Sequence, residues 1–88
     1  MSEASSFEFP CDFPLKIMGR RDQMAFQPAV FSIVQKHAPD FDSARVQIRT
    51  SRDGNYLSLS CDIRATSRAQ LDALWRELSA CPWVKYVL

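Results

Sequence analysis

Residues 42–66 read DSARVQIRTSRDGNYLSLSCDIRAT, and the fold turns on how they are read. Val46 and Ile48 alternate with Arg45, Gln47 and Arg49. Farther on, Leu57, Leu59, Cys61, Ile63 and Ala65 alternate with Tyr56, Ser58, Ser60, Asp62 and Arg64. A period of two predicts strands over 43–51 and 55–66, each with one apolar and one polar face. Between them Asp53-Gly54 predicts a hairpin turn, because Gly takes the positive φ that a tight reversal needs. One face of such a ribbon needs apolar cover, and the other can face water.

The cover comes from the flanking sequence. After the hairpin, Ser67 and Gln70 have the spacing of a capping box, and Leu71, Leu74, Trp75 and Leu78 form an i, i+3, i+4, i+7 stripe. They predict a helix over 68–80, stopped by Cys81-Pro82. Before the hairpin, Phe26, Val30, Ile33, Val34 and His37 share one helical face. Pro28 is tolerable only in a first turn, so the helix is expected to start near Gln27, with residues 19–26 as a loop. Pro39 stops it. FPLKIMGR (13–20) and WVKYVL (83–88) predict the outer strands. In the last of these, strict alternation puts Val84, Tyr86 and Leu88 on one face and Trp83, Lys85 and Val87 on the other. The order is strand, helix, strand, strand, helix, strand. With right-handed crossovers it gives a ferredoxin-like α+β sandwich. Its four-stranded antiparallel sheet has order 4-1-3-2, with both helices on one face. Leu15, Ile17, Val46, Ile48, Leu57, Leu59, Cys61 and Ile63 are the expected buried sheet residues. Residues 1–12 read as a flexible arm whose Phe7 and Phe9 rings can lie on the domain, 13–88.

The 88 residues suffice for one domain and one core. A chain this small hides only about 60% of its unfolded surface, so few apolar residues can be spared from the core. The net charge of +1 gives no global pull toward nucleic acid or an anionic membrane. The N-terminus lacks the basic start and apolar run of a signal peptide, and a cytoplasmic location is the expectation. Three cysteines, without CxxC spacing and beside a single histidine, argue against disulfides and against a zinc site. Cys61 reads as a small core residue.

Several pieces together carry a resemblance. They are Phe9-Pro10, KIMG at Lys16 to Gly19, HAP at His37 to Pro39, and GNY at Gly54 to Tyr56 followed by Ser58 and Ser60. Ala65-Thr66 and the closing VKYVL complete the set. In this order and spacing the chain, from Phe9 onward, resembles the small bacterial YbeD-like proteins. That family is described as lipoic-acid-binding and regulatory, and it looks like the ACT regulatory domains. The resemblance implies a non-enzymatic module with no catalytic residues and no cofactor. DQMAFQPAV, with Pro28, departs from the usual start of the family's first helix.

Candidate sites arise from the expected sheet. On its open face Lys16, Met18, Trp83, Lys85 and Val87 come together, an apolar strip with two ammonium groups. It suits a small carboxylate with an apolar tail, or a partner protein. The bland alternative is a solvated face with scattered apolar residues. In the loop Gly19 to Asp22, Arg20 and Arg21 precede a helix start, where amides and the dipole favour an anion. Acylphosphatases, small enzymes of this fold, bind phosphate in that loop. Their glycine-rich signature is missing here, and Asn55 lies in a distant turn. Solvated loop arginines are the plainer reading. His37 is expected to serve the last carbonyls or the dipole of its helix. Arg45, Arg49 and Arg64 invite a nucleic-acid reading, but the outward positions of the third strand are Ser58 and Ser60 and leave only Tyr56 to stack. Arginines also keep an edge strand from unwanted pairing. The expectation is a regulatory or binding module, with a homodimer through sheet edges or the open face as one partner. A small anion-handling enzyme and a weak nucleic-acid binder are the alternatives.

Overall fold

The strands and helices alternate as the hydrophobic periods require, and a computed structural model describing residues 8–87 gives their bounds. They are β1 (Cys11–Arg20), α1 (Phe26–His37), β2 (Gln47–Thr50), β3 (Tyr56–Ala65), α2 (Arg68–Ala80) and β4 (Val84–Val87). The sheet order β2-β3-β1-β4 is the expected 4-1-3-2, all antiparallel. The larger part of the expected arm, including Phe7, lies outside the described residues.

β1 and β3 form the spine, paired residue for residue from Cys11↔Ala65 to Arg20↔Tyr56. Leu15 and Ile17 of β1 and Leu59, Cys61 and Ile63 of β3 point to the helices. There they meet Phe26, Val30 and Val34 of α1 and Leu74 and Leu78 of α2. Burial pushes the Cys61 thiol up to about 11, with the nearby Asp62 charge adding to it, so it stays protonated in the core. Arg21 N–H donates to the Asn55 carbonyl just past the ladder (2.9 Å), which fixes its alternation. Pro14 then sits where its missing N–H falls on the side away from β3, at a level where β1 has no pairing with β4 among the described residues, so no ladder bond is lost.

Helix α1 starts at Phe26, one residue before the expected start. Pro28 is its third residue, inside the first turn, where no intrahelical N–H bond is lost. Ser67 Oγ accepts from Gln70 N–H (3.1 Å), as the capping spacing predicts. The Gln70 side chain does more than close the box. Its Oε1 accepts from Thr66 N–H (2.6 Å), and its Nε2 donates to the last α1 carbonyl, His37 O (2.8 Å). The expected partner for that carbonyl is a side chain of its own helix. The His37 ring instead reaches α2, with Nε2 2.7 Å from Glu77 Oε1, and Lys36 Nζ joins at 3.2 Å.

The bond from His37 and then Lys36 hold the Glu77 carboxyl below its ordinary value of 4.5. A depressed carboxylate adds stability above its unfolded pKa and loses it as pH falls through the folded one. Melting temperature is therefore expected to drop on acidification below about 4.5, and Glu77→Gln is expected to flatten that slope. Parallel melting curves for the two proteins across the acid range would remove this helix clamp.

The structure departs from the expected pattern at three places on its surface. Residues 43–45 form a 3-10 turn and not the start of a strand, because Asp42 Oδ1 accepts from Ala44 N–H (3.0 Å) and redirects the chain. Val46 and Ile48 lie on the helix side, but the helices do not reach over β2, and Ile48 stays 48% exposed. Trp75, expected in the covering stripe of α2, is 44% exposed. It overhangs a cavity of about 190 Å³ beside Phe13 and Leu15.

Candidate functional site

β4 decides where the candidate residues go. Its pairing runs Ile17↔Val87 and Met18↔Tyr86, then slips to Gly19↔Val84. One residue, Lys85, is therefore extra: a β-bulge, the device that re-aims a side chain. The slip breaks strict alternation. Val84 and Val87 both turn inward, with Val87 only 9% exposed in the core. Val87 thus leaves the predicted open-face strip, and Tyr86 takes its place beside Met18.

The five predicted residues divide accordingly. Lys16 and Met18 lie on the open face, opposite Ser60 and Ser58 of β3. Met18, Ser58 and Tyr86 form one cross-strand row with Arg49 at its far end. Ser58 Oγ is buried in this row without a hydrogen-bond partner among the described residues. Trp83 and Lys85 go elsewhere. They line a groove of about 170 Å³ with Pro82, Val84, Arg20 and Gln23, at the end where β1 leaves the sheet. Sequence periodicity indicates neither Gln23 nor the meeting of Arg20 with Lys85.

The cations in this groove differ. Arg20 forms a fork with Asp22, Nε to Oδ1 and Nη2 to Oδ2, both 3.0 Å. The fork holds the Asp22 carboxyl below its usual range and raises Arg20. Lys85 has no hydrogen bond or ion pair among the described residues. Among the described residues the groove therefore offers an ammonium without a partner, an indole and a neutral amide.

The anion site predicted at Arg20 and Arg21 is built differently from the expectation. Arg20, Arg21, Asp22, Gly54 and Asn55 line one polar depression, so the fold does bring Asn55 to the arginines. Two of the loop amides are engaged. Arg21 N–H goes to Asn55 O and Gln23 N–H to Arg20 O, while Arg21 Nη1 lies 3.5 Å from Gly54 O. The depression thus combines two guanidinium groups with the Asp22 carboxylate, which already occupies the Arg20 fork. On the hairpin's polar face, Arg64 lies 3.8 Å from Asp12 on the adjacent strand, and Tyr56 is half-buried opposite Arg20.

Sheet, crossovers and groove together define a small ferredoxin-like domain with a bulged outer strand. Residues 4–88 match the family described as protein of unknown function DUF493. The chain belongs to that family, also called UPF0250, in keeping with the YbeD-like resemblance. A UPF0250 protein of Nitrosomonas europaea is 52% identical over 88 residues, the full length of both chains. One from Janthinobacterium is 52% identical over 85 residues, covering 96% of this chain and 91% of the relative. The solution structure of protein HP0495 from H. pylori superposes with a TM-score of 0.73 at 11% identity, covering 93% of this chain and 85% of that one. The C-terminal domain of the MgtC protein from Mycobacterium tuberculosis gives 0.68 at 19% identity, covering 93% and 87%. At those identities the likeness concerns the fold alone. No described helix is long and apolar enough to cross a membrane.

Proposed function

We propose that this domain is a non-enzymatic, ACT-like regulatory module of the cytoplasm that binds a small carboxylate with an apolar body. The observation that supports the reading is that Trp83 and Lys85 line one groove next to the bulge in β4, with no partner for the Lys85 ammonium among the described residues. A carboxylate on the ammonium and an aliphatic body on the indole match that pair. The YbeD-like resemblance suggests the candidate class, lipoate-like acids, with octanoate as the simplest probe. Arg20, spent on Asp22, contributes packing and not a free charge.

Titration with octanoate or lipoate is expected to shift the amide and indole resonances of Trp83, Lys85 and Gln23. Lys85→Ala is expected to weaken binding about five- to tenfold, the loss of one charge-assisted hydrogen bond. Shifts confined to Lys16 and Met18 would move the site to the open face, and no shifts at all would remove the ligand class. The enzymatic alternative rests on Asn55 joining the arginines. Acyl-phosphate hydrolysis that disappears in Arg20→Ala would establish it and overturn the binding-module reading.

A further inference from the structure

We infer that β2 is a self-pairing edge: two copies of this chain join antiparallel about a two-fold axis at Ile48, continuing the sheet from four strands to eight.

Burial along this edge is at odds with the residues that occupy it. All four residues of β2 are exposed. Ile48 is paired with Leu59 and shares its face, yet Leu59 is fully buried and Ile48 is 48% exposed. A β-branched residue on the core side of a sheet has been left beyond the reach of both helices. The backbone beneath it is also available. Ser51 N–H donates to Tyr56 O at 2.8 Å, so 51↔56 is a hydrogen-bonded pair of the ladder. Antiparallel alternation then turns residues 47 and 49 toward β3 and aims the N–H and C=O of Ile48 and Thr50 outward. The outward row is the template that a second strand uses.

Charge selects the occupant and the register. In a two-fold antiparallel pair, facing residues must lie on the same side of the sheet, so the axis must pass through a residue. An axis through Arg49 sets that guanidinium against its own copy. An axis through Gln47 sets Arg45 against Arg49 and runs into the 3-10 turn at Ser43–Arg45. An axis through Ile48 avoids both. It pairs Ile48 with Ile48 on the helix side and each Gln47 with Arg49 of the second copy on the open side. The Gln47 carbonyl can accept from the guanidinium there, while Val46 faces Thr50. Like charges directly opposite are destabilising, whereas a β-branched pair and an amide–guanidinium pair are each favourable. The arginines thus disfavour the pairings centred on Gln47 and Arg49, whereas the one centred on Ile48 also joins the two exposed Ile48 side chains. Four residues a side is a small contact, so the association is weak and concentration-dependent.

Disulfide trapping reads the register directly. In a background of Cys11→Ser and Cys81→Ser, with Cys61 left buried, Ile48→Cys and Arg49→Cys are compared under mild oxidation. Facing residues in a hydrogen-bonded pair have Cα atoms about 5.5 Å apart, inside the disulfide range, while positions offset by two residues exceed it. Covalent dimer is expected about tenfold faster for Ile48→Cys than for Arg49→Cys. Equal rates, which random collision gives, or a faster Arg49→Cys overturn the inference. Sedimentation equilibrium of the unmodified chain at rising concentration gives the second reading. Self-association is expected, and it is lost in Ile48→Lys. That substitution is at an exposed site, so its melting temperature should be unchanged. A chain that stays monomeric at about 1 mM, or an Ile48→Lys protein that associates equally well, also overturns it.

Discussion

Phe26→Ala lowers stability by about 3–5 kcal/mol, the range for deleting a fully buried phenyl ring. Phe26 is the largest of the completely buried side chains. It stands at the first residue of α1, where the chain has just left β1 through the loop 21–25, and its ring lies over Gly19 in the strand. No small neighbour can move in to refill the space, because the ring's platform is backbone. A domain of this size has a total stability of roughly 4–13 kcal/mol, so the loss is a large part of the whole. At about 4–8 °C per kcal/mol the melting temperature falls by about 12–40 °C. Phe26→Leu, which keeps most of the volume, is expected to lose less than half as much. Thermal and urea unfolding of the two variants check this. A Phe26→Ala protein within about 1 kcal/mol of the parent would mean that the α1 start does not anchor on β1.

The fold is legible wherever a local period or a cap coincides with the tertiary burial. β3 alternates over ten residues and is half-buried in the same rhythm. α2 begins where Ser67 and Gln70 say it should, and it buries Leu74 and Leu78 from the predicted stripe. The misreadings have distinct causes. In WVKYVL every residue other than Lys85 is apolar enough to fit either phase, so alternation cannot reveal an extra residue, and it puts Val87 on the wrong face. Val84 and Val87, three apart and both inward, are the available hint of a bulge. Ile48 carries the right residue on the right face, yet its burial depends on how far a helix extends, which no local pattern records. Asp42 before Ser43 is a turn signal that the alternation after it masks. The candidate groove is the least legible part. The open-face reading singles out Trp83 and Lys85 together, but Arg20 and Gln23 reach them only through the geometry at the end of β1. The Gln70 bond to His37 O spans 33 positions and has no sequence signature beyond the capping spacing.

Gly19→Ala is expected to cost about 1–3 kcal/mol, although it adds one methyl group at a position without positive φ. The reason is close approach from two directions. A Cβ on Gly19 would fall onto the Phe26 ring and 2.7 Å from the Trp83 carbonyl oxygen. The ring belongs to the packed core and the oxygen to backbone, so neither yields as the tip of a flexible side chain would. Gly54 makes the contrast. Its φ of 79° strains any L-residue, but a Cβ there meets nothing nearer than Arg21 Nη1 at 3.6 Å. Gly54→Ala therefore loses stability through the backbone, by about 1 kcal/mol. A double-mutant cycle separates the mechanisms. If the clash is with the ring, shrinking it in Phe26→Leu should relieve part of the Gly19→Ala loss, with a coupling of about 0.5 kcal/mol or more, while Gly54→Ala and Phe26→Leu should add independently. Additive losses for Gly19→Ala and Phe26→Leu would show that ring crowding is not what excludes a side chain. The other neighbour links packing to the groove. A methyl group that displaces the Trp83 carbonyl pushes on the segment leading into the bulge. Gly19→Ala protein that remains folded at low temperature should accordingly bind octanoate more weakly than the parent, whereas Gly54→Ala should bind it equally well.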